Sequence, residues 1–174
     1  LSFTKMIVYI ATRDTHPPLY YILIKFWRNL GDSEAFLRFP SAVFGIAAVA
    51  CMWSLVKEHW GTAAATASSL LLATSEVAIW YSQENRMYSL VLLLTVLSFR
   101  FFLRFVALFQ CTGEDGQGNP APRATLRDCL GVTVFTLALL YTHSMTIFLW
   151  GTQLLLGGLL GLMPIVRSRR RRSS

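Results

Sequence analysis

The chain has 174 residues, 54% of them hydrophobic and 14% charged, with a mean hydropathy of +0.49, which is too apolar for a soluble domain of this size. The formal net charge of +7 does not mark a nucleic-acid-binding face: five arginines, Arg167 and Arg169 to Arg172, stand in the last eight residues as a tail, with no groove-fitting or aromatic pattern beside them. Cys51, Cys111 and Cys129 are dispersed along or beside apolar runs, which excludes a disulfide framework and a cysteine metal spacing.

Residues 1–13 are mixed and weakly apolar and lack the regions of a signal peptide. A wet first loop calls for a membrane span before it, so further sequence is expected upstream of Leu1. Asp14-Thr15-His16-Pro17-Pro18-Leu19-Tyr20-Tyr21 reads as a helix start, with Asp14 or Thr15 as cap and proline tolerated in the first turn. The apolar run 19–30 is short of the roughly 20 residues that cross a bilayer. Lys25, Arg28 and Asn29 share one face while Tyr21, Ile22, Phe26 and Trp27 are apolar, so an interfacial helix in the first extracytoplasmic loop is expected.

Gly31-Asp32-Ser33-Glu34 stops that helix and caps the next, which runs over residues 35–56, with Pro40 early enough to be tolerated. A tight turn at Lys57-Glu58-His59-Trp60-Gly61 leads into residues 62–79. Small residues there, such as Ala65, Ser68 and Ser69, predict close helix packing inside a bundle. Trp80-Tyr81-Ser82-Gln83-Glu84-Asn85-Arg86-Met87-Tyr88 follows as a polar, aromatic-rich knot between two long apolar runs. Ionisable groups at the end of a hydrophobic helix are costly without a purpose, and a charged ligand at the water boundary is the functional reading. An ordinary loop is the alternative.

Residues 87–109 form a third span, whose Arg100 and Arg104 are expected to snorkel to headgroups at its far end. Residues 110–126, rich in glycine and proline, read as a flexible loop. Two more spans cover residues 127–142 and 145–166, with Gly157 and Gly161 as a packing face. The fold class expected is all-α, a polytopic transmembrane bundle of about five spans. The chain divides into a loop with its interfacial helix (1–34), the bundle (35–166) and a basic tail (167–174). The positive-inside rule makes the tail cytoplasmic, and counting back places His16, Glu84 and His143 together on the extracytoplasmic face. Three polar clusters therefore converge on one side: residues 14–20, 81–88 and 141–144.

The blocks Asp14-Thr15-His16-Pro17-Pro18-Leu19-Tyr20-Tyr21, Gly31-Asp32-Ser33-Glu34 with Leu37-Arg38-Phe39-Pro40-Ser41, Trp80 to Tyr88, and Tyr141-Thr142-His143 resemble, in order, those of the protein O-mannosyltransferase-like glycosyltransferases of the family 39/83 group. The resemblance implies a C-type glycosyltransferase fold. It implies transfer of a sugar, mannose being one candidate, from a polyprenyl or dolichyl phosphate carrier to a protein, lipid or glycan acceptor, with inversion. The membrane would be the plasma membrane in a prokaryote and the endoplasmic reticulum in a eukaryote. Such chemistry needs a carboxylate to take the acceptor proton, and cations or N–H donors for the phosphate leaving group. The family's acidic pair is absent ahead of Asp14, so the general base is expected upstream of Leu1.

The resemblance assigns substrate-binding roles to Asp14, His16, Tyr81, Gln83, Glu84, Arg86, Tyr88 and His143. Asp14 would position acceptor or metal, or cap a helix; His16 would be a ligand or a packing group. Gln83 and Glu84 would hold the sugar or orient the catalytic loop, with a plain Glu84–Arg86 ion pair as the other reading. Arg86 suits phosphate because its guanidinium forks onto two oxygens and stays charged. Tyr81 and Tyr88 would bond sugar or phosphate, or anchor at the interface. His16, Glu84 and His143 are the candidate ligands for a divalent metal; no other cofactor is assigned. The rival class is a non-enzymatic transporter or lipid-phosphate-binding subunit, or an inactive truncated paralogue. A transporter carries ionisable or broken-helix features at mid-membrane, whereas these spans read as polar only at their ends.

Overall fold

The computed structural model describes residues 17–110 and 126–172, with side chains described over 17–106 and 126–160. Asp14 and His16, the 111–125 stretch and the side chains of the arginine tail lie outside the described residues. Among the described residues the regular structure is all helix: α1 (Leu19–Arg28), α2 (Glu34–Ala73), α3 (Glu76–Gln83), α4 (Tyr88–Gln110), α5 (Leu126–Leu140), a 3-10 turn (Ser144–Thr146) and α6 (Ile147–Arg172).

Helix α1 packs one side on the core and leaves an apolar side open, beside the Lys25, Arg28 and Asn29 positions expected to be its polar face. Tyr20 is buried, with Ile24 packed against the same core, while Leu19, Ile22, Leu23, Phe26, Trp27 and Leu30 line an open apolar groove. The cap at its start is Pro18, which offers no side-chain bond. The Leu19 N–H instead donates to the Tyr141 carbonyl at 3.0 Å, so a distant segment satisfies one of the orphan donors of the first turn.

Ser33 caps α2 as expected, its Oγ accepting from the Phe36 N–H at 3.3 Å. Pro40 stands in the second turn of α2, past the positions where a missing N–H is free of cost, and it deprives the Phe36 carbonyl of its normal partner. The Trp27 indole Nε1 donates to that carbonyl at 2.8 Å, and the Trp27 ring stacks on Phe36 with centroids 4.6 Å apart. Trp27 thus repairs the proline site and joins α1 to α2. Trp27→Phe keeps the stack but strands the carbonyl, so it is expected to cost about 1–2 kcal/mol. A thermal melt in detergent that matches the unsubstituted protein would remove the repair role.

Within α2, Gly61 has φ 82 and ψ 176, in the region that glycine alone enters without strain. Ala42, Gly45 and Ile46 line one small groove with Ala73, Ala78, Ile79 and Ser82. A straight helix would separate Ala42 from Ala73 by about 46 Å, so the chain doubles back at Gly61 into two arms, 34–60 and 62–73. The anticipated turn is there. The return arm is not interior, however: it buries Ala65 and Ser69, four residues apart, while Leu70 and Leu71 are exposed. Small residues supply close contact along one stripe only.

Helix α4 is central, packing against α2, α5 and α6. Its Leu90 and Leu94 join Tyr20, Met87 and Leu139 in the main core, with Phe44, Val91, Phe135 and Ala138 around them. Gly131 of α5 lies so close to Phe101 of α4 that a Cβ there would stand 2.5 Å from the ring.

Polar groups are not confined to the helix ends. Ser98, Thr136 and Gln153 are buried and bond across α4, α5 and α6: Ser98 Oγ is 3.0 Å from Thr136 Oγ1 and accepts from Gln153 Nε2 at 2.8 Å. These groups are neutral and mutually satisfied, which is how polar side chains join helices in an apolar medium. Arg100 and Arg104 do not stand free for headgroups either. Arg104 forks onto Glu58 at 2.6 and 2.8 Å and stands 4.0 Å from Asp128, and Arg100 Nε is 3.7 Å from Glu58. The cluster ties the α2 turn to α4 and α5.

Among the described residues two helices are long and apolar enough to cross a membrane, Glu34–Ala73 and Tyr88–Val106, against the five expected. Helix α5 has 15 residues, about 22 Å at 1.5 Å per residue, and the apolar part of the last segment, Ser144–Leu160, is also short. The return arm of α2 is broken from α3 at Thr74 and Ser75.

Candidate functional site

The four quoted blocks meet at one end of the bundle. The first turn of α1 reaches the other three: the Leu19 N–H takes the Tyr141 carbonyl, and the Tyr20 hydroxyl donates to Asn85 Oδ1 at 2.8 Å. Tyr20 OH also lies 3.3 Å from Ser41 Oγ, and Ser41 Oγ donates to the Arg86 carbonyl at 3.4 Å. Tyr20 is 4% exposed and Ser41 fully buried. Burial pushes the Tyr20 phenol above its ordinary range, with the Ser41 hydrogen bond pulling the other way. The phenol is therefore neutral at physiological pH and remains a donor.

The α3–α4 loop, residues 84–87, carries the charge. Glu84 accepts from the Trp80 indole at 3.1 Å and its other oxygen stands 3.5 Å from Arg86 Nε. The ion pair anticipated for these two is present but open, with the Arg86 side chain 64% exposed. Glu84, Asn85 and Arg86 face Asp32, Glu34, Leu37 and Arg38 across a groove of about 380 Å³. Around it Arg28 pairs with Asp32 at 2.9 Å and Arg38 pairs with Glu34.

An aromatic row adjoins the loop. The Tyr81 and Tyr88 rings have centroids 4.2 Å apart, and Tyr88 and His143 6.0 Å. Ser89 fixes the row by donating to the Tyr81 carbonyl at 2.8 Å. His143 caps the 3-10 turn, its Nδ1 accepting from the Met145 N–H at 3.1 Å. Gln83 closes α3 and is exposed.

Of the residues singled out in the sequence, Glu84 and Arg86 line the groove, Tyr81, Tyr88 and His143 form the row, and Gln83 lies beside them. Asp14 and His16 are outside the described residues. Asp32, Glu34, Arg38 and Asn85 were not singled out, although all four stand within the quoted blocks. Their signal was position: charged or amide groups at the two helix starts that the blocks enclose. Tyr20 stood inside the polar cluster 14–20 and the first quoted block, but it was given no role of its own. For the metal option, no group of three His, Cys, Asp or Glu suited to an ion gathers among the described residues.

The arrangement offers two guanidiniums, three carboxylates and an amide around an open groove, next to a tyrosine–histidine row. Forked cations of this kind suit a phosphate, and aromatic hydroxyls suit a sugar. Searches of curated proteins and of solved structures find no match for this chain. The family model of the dolichyl-phosphate-mannose-protein mannosyltransferases does match, over residues 15–111, a stretch that holds the Asp32, Arg38 and Glu84–Arg86 walls of the groove and leaves the His143 block outside. With more than half its length matched, the chain belongs to the dolichyl-phosphate-mannose-protein mannosyltransferase family.

Proposed function

We propose that this chain forms the carrier-binding part of a membrane glycosyltransferase that moves mannose from a polyprenyl or dolichyl phosphate to an acceptor on the extracytoplasmic face, with inversion. The observation that carries the proposal is the half-open Arg86 guanidinium, set in a groove whose loop is bonded from beneath by Tyr20 and Ser41. Arg86 takes the carrier phosphate and stabilises it as leaving group; the Tyr81, Tyr88 and His143 row, with Gln83 and Glu84, faces the sugar. Asp14 and His16 belong to the acceptor side. The exposed apolar face of α1 rests in the membrane interface and brings the carrier's headgroup level with the groove. In this reading the bundle of residues 35–166 crosses the membrane about five times and the basic tail is cytoplasmic.

The test is transfer from a polyprenyl-phosphate sugar by the protein in proteoliposomes. Glu84→Gln removes the charge that holds Trp80 and Arg86, and is expected to lower the rate about tenfold. Full activity in both Glu84→Gln and Arg86→Ala would remove the role of this loop.

A further inference from the structure

We propose that Tyr20 is a positioning residue for the donor site, holding the Glu84–Asn85–Arg86 loop in its phosphate-binding shape through its bond to Asn85. The inference rests on the carrier-phosphate reading of the groove, and it gives a task to a tyrosine to which the sequence reading assigned none.

The loop has few restraints of its own. Inside it, the Arg86 N–H donates to the Glu84 carbonyl at 2.9 Å, and helix α4 starts at Tyr88. Glu84 is held by the Trp80 indole and pairs with Arg86, while the bonds that fix residues 85 and 86 against the bundle come from below. The Tyr20 O–H holds the Asn85 side chain at 2.8 Å, 65 residues away in sequence. Ser41, 3.3 Å from the same phenol, reaches the Arg86 carbonyl at 3.4 Å. Two neighbouring buried hydroxyls thus reach two consecutive loop residues, Tyr20 the Asn85 side chain and Ser41 the Arg86 carbonyl, both residues lining the groove. The Arg86 side chain is mostly in solvent and stands 3.5 Å from Glu84, so its direction depends on where the backbone at 85 and 86 sits.

Tyr20 is in turn well placed to serve as a fixed point. Its neighbour Leu19 is bonded to the Tyr141 carbonyl, and its ring packs with Met87, Leu90, Leu94 and Leu139. The first turn of α1 thus joins the loop that carries Arg86 to the segment that carries His143. Loss of the phenolic O–H frees the loop, and ordering it again must then accompany each binding of the donor. That cost falls on the bound state and the transition state alike, so it raises KM and leaves kcat.

The experiment compares Tyr20→Phe, Asn85→Ala, their double variant and Arg86→Ala in the full protein, with a polyprenyl-phosphate mannose as donor and thermal melts alongside. Tyr20→Phe is expected to raise the donor KM about tenfold with kcat within about twofold. Asn85→Ala should do the same, and the double variant should be no worse than either, because both remove one bond. A lowered melting temperature with unchanged KM in Tyr20→Phe makes the residue structural only and overturns the inference. Additive effects overturn it too, since Asn85 would then touch the donor independently. Should Tyr20→Phe fail to fold, Asn85→Ala reads the same bond from the exposed side, and an unchanged KM there is equally decisive. If Arg86→Ala raises KM while Tyr20→Phe does not, positioning fails and the phosphate reading survives. An Arg86→Ala protein with unchanged kinetics fails the phosphate reading itself.

Discussion

Arg86→Ala is expected to lower kcat/KM for transfer from a polyprenyl-phosphate sugar by roughly 100-fold, and Arg86→Lys by about tenfold. No nearby cation can take its place, because Arg38 is engaged by Glu34 and Arg28 by Asp32. Without Arg86 the groove presents Asp32, Glu34 and Glu84 against the single guanidinium of Arg38, and its balance toward an incoming phosphate shifts from attraction to repulsion. Charges about 4 Å apart near a protein surface interact by roughly 4 kcal/mol before exposure is discounted. With Arg86 mostly in solvent, about 2–3 kcal/mol remains, and each 1.4 kcal/mol is a factor of about ten. Lysine restores the charge but not the fork, hence the intermediate loss. Raising the ionic strength should lower the activity of the unsubstituted protein and leave the alanine variant less affected, because screening acts on the contact that is gone. A change of less than about threefold in Arg86→Ala would not fit a leaving-group contact.

Gly131→Val is expected to destabilise the bundle by about 3 kcal/mol, or to prevent folding, as overpacking of a tight contact does. A Cβ at residue 131 would stand 2.5 Å from the near side of the Phe101 ring, not from its far tip. Phe101 cannot simply swing clear, since its ring stacks on Phe135 with centroids 5.4 Å apart. The added methyls must therefore push α5 away from α4, and the buried Ser98–Thr136 bond crosses that same boundary. Phe101→Ala in the same chain makes room and should recover part of the loss, a coupling expected of residues in contact. Gly157→Ala is the control: its Cβ would meet Phe102 at 3.4 Å, ordinary contact, and alanine is the better helix former by about 1 kcal/mol. Equal melting temperatures for Gly131→Val and Gly157→Ala would show that the close approach of α4 and α5 is dispensable.

Much of the fold was legible because its signals are local. The apolar runs marked the helices, Gly31 to Glu34 marked the stop of α1 and the capped start of α2, and Lys57 to Gly61 marked the turn where the chain doubles back. The polar knot at 80–88 and the His143 segment stood out because charge and amide groups interrupt apolar sequence, and the structure brings them together. The interior placing of the return arm was wrong for a plain reason. Small residues permit close approach on every side of a helix, but Ala65 and Ser69 are the ones a neighbour covers.

The sequence by itself determined that the chain is helical and apolar, where most helices start and stop, and that polar groups of one character recur between them. Periodicity, caps and turn residues act within a few positions of each other, so they can be read from one strip of letters. Tertiary structure alone decided the partners: Trp27 on the carbonyl that Pro40 leaves open, Glu58 on Arg104, Gln153 on Ser98, and Tyr20 on Asn85 beneath the groove. These pairs lie 9 to 65 residues apart, and which donor meets which acceptor depends on how the helices pack and how far each is rotated. A buried polar group must find a partner wherever packing leaves it; the sequence shows the group, and only the packed bundle shows the partner.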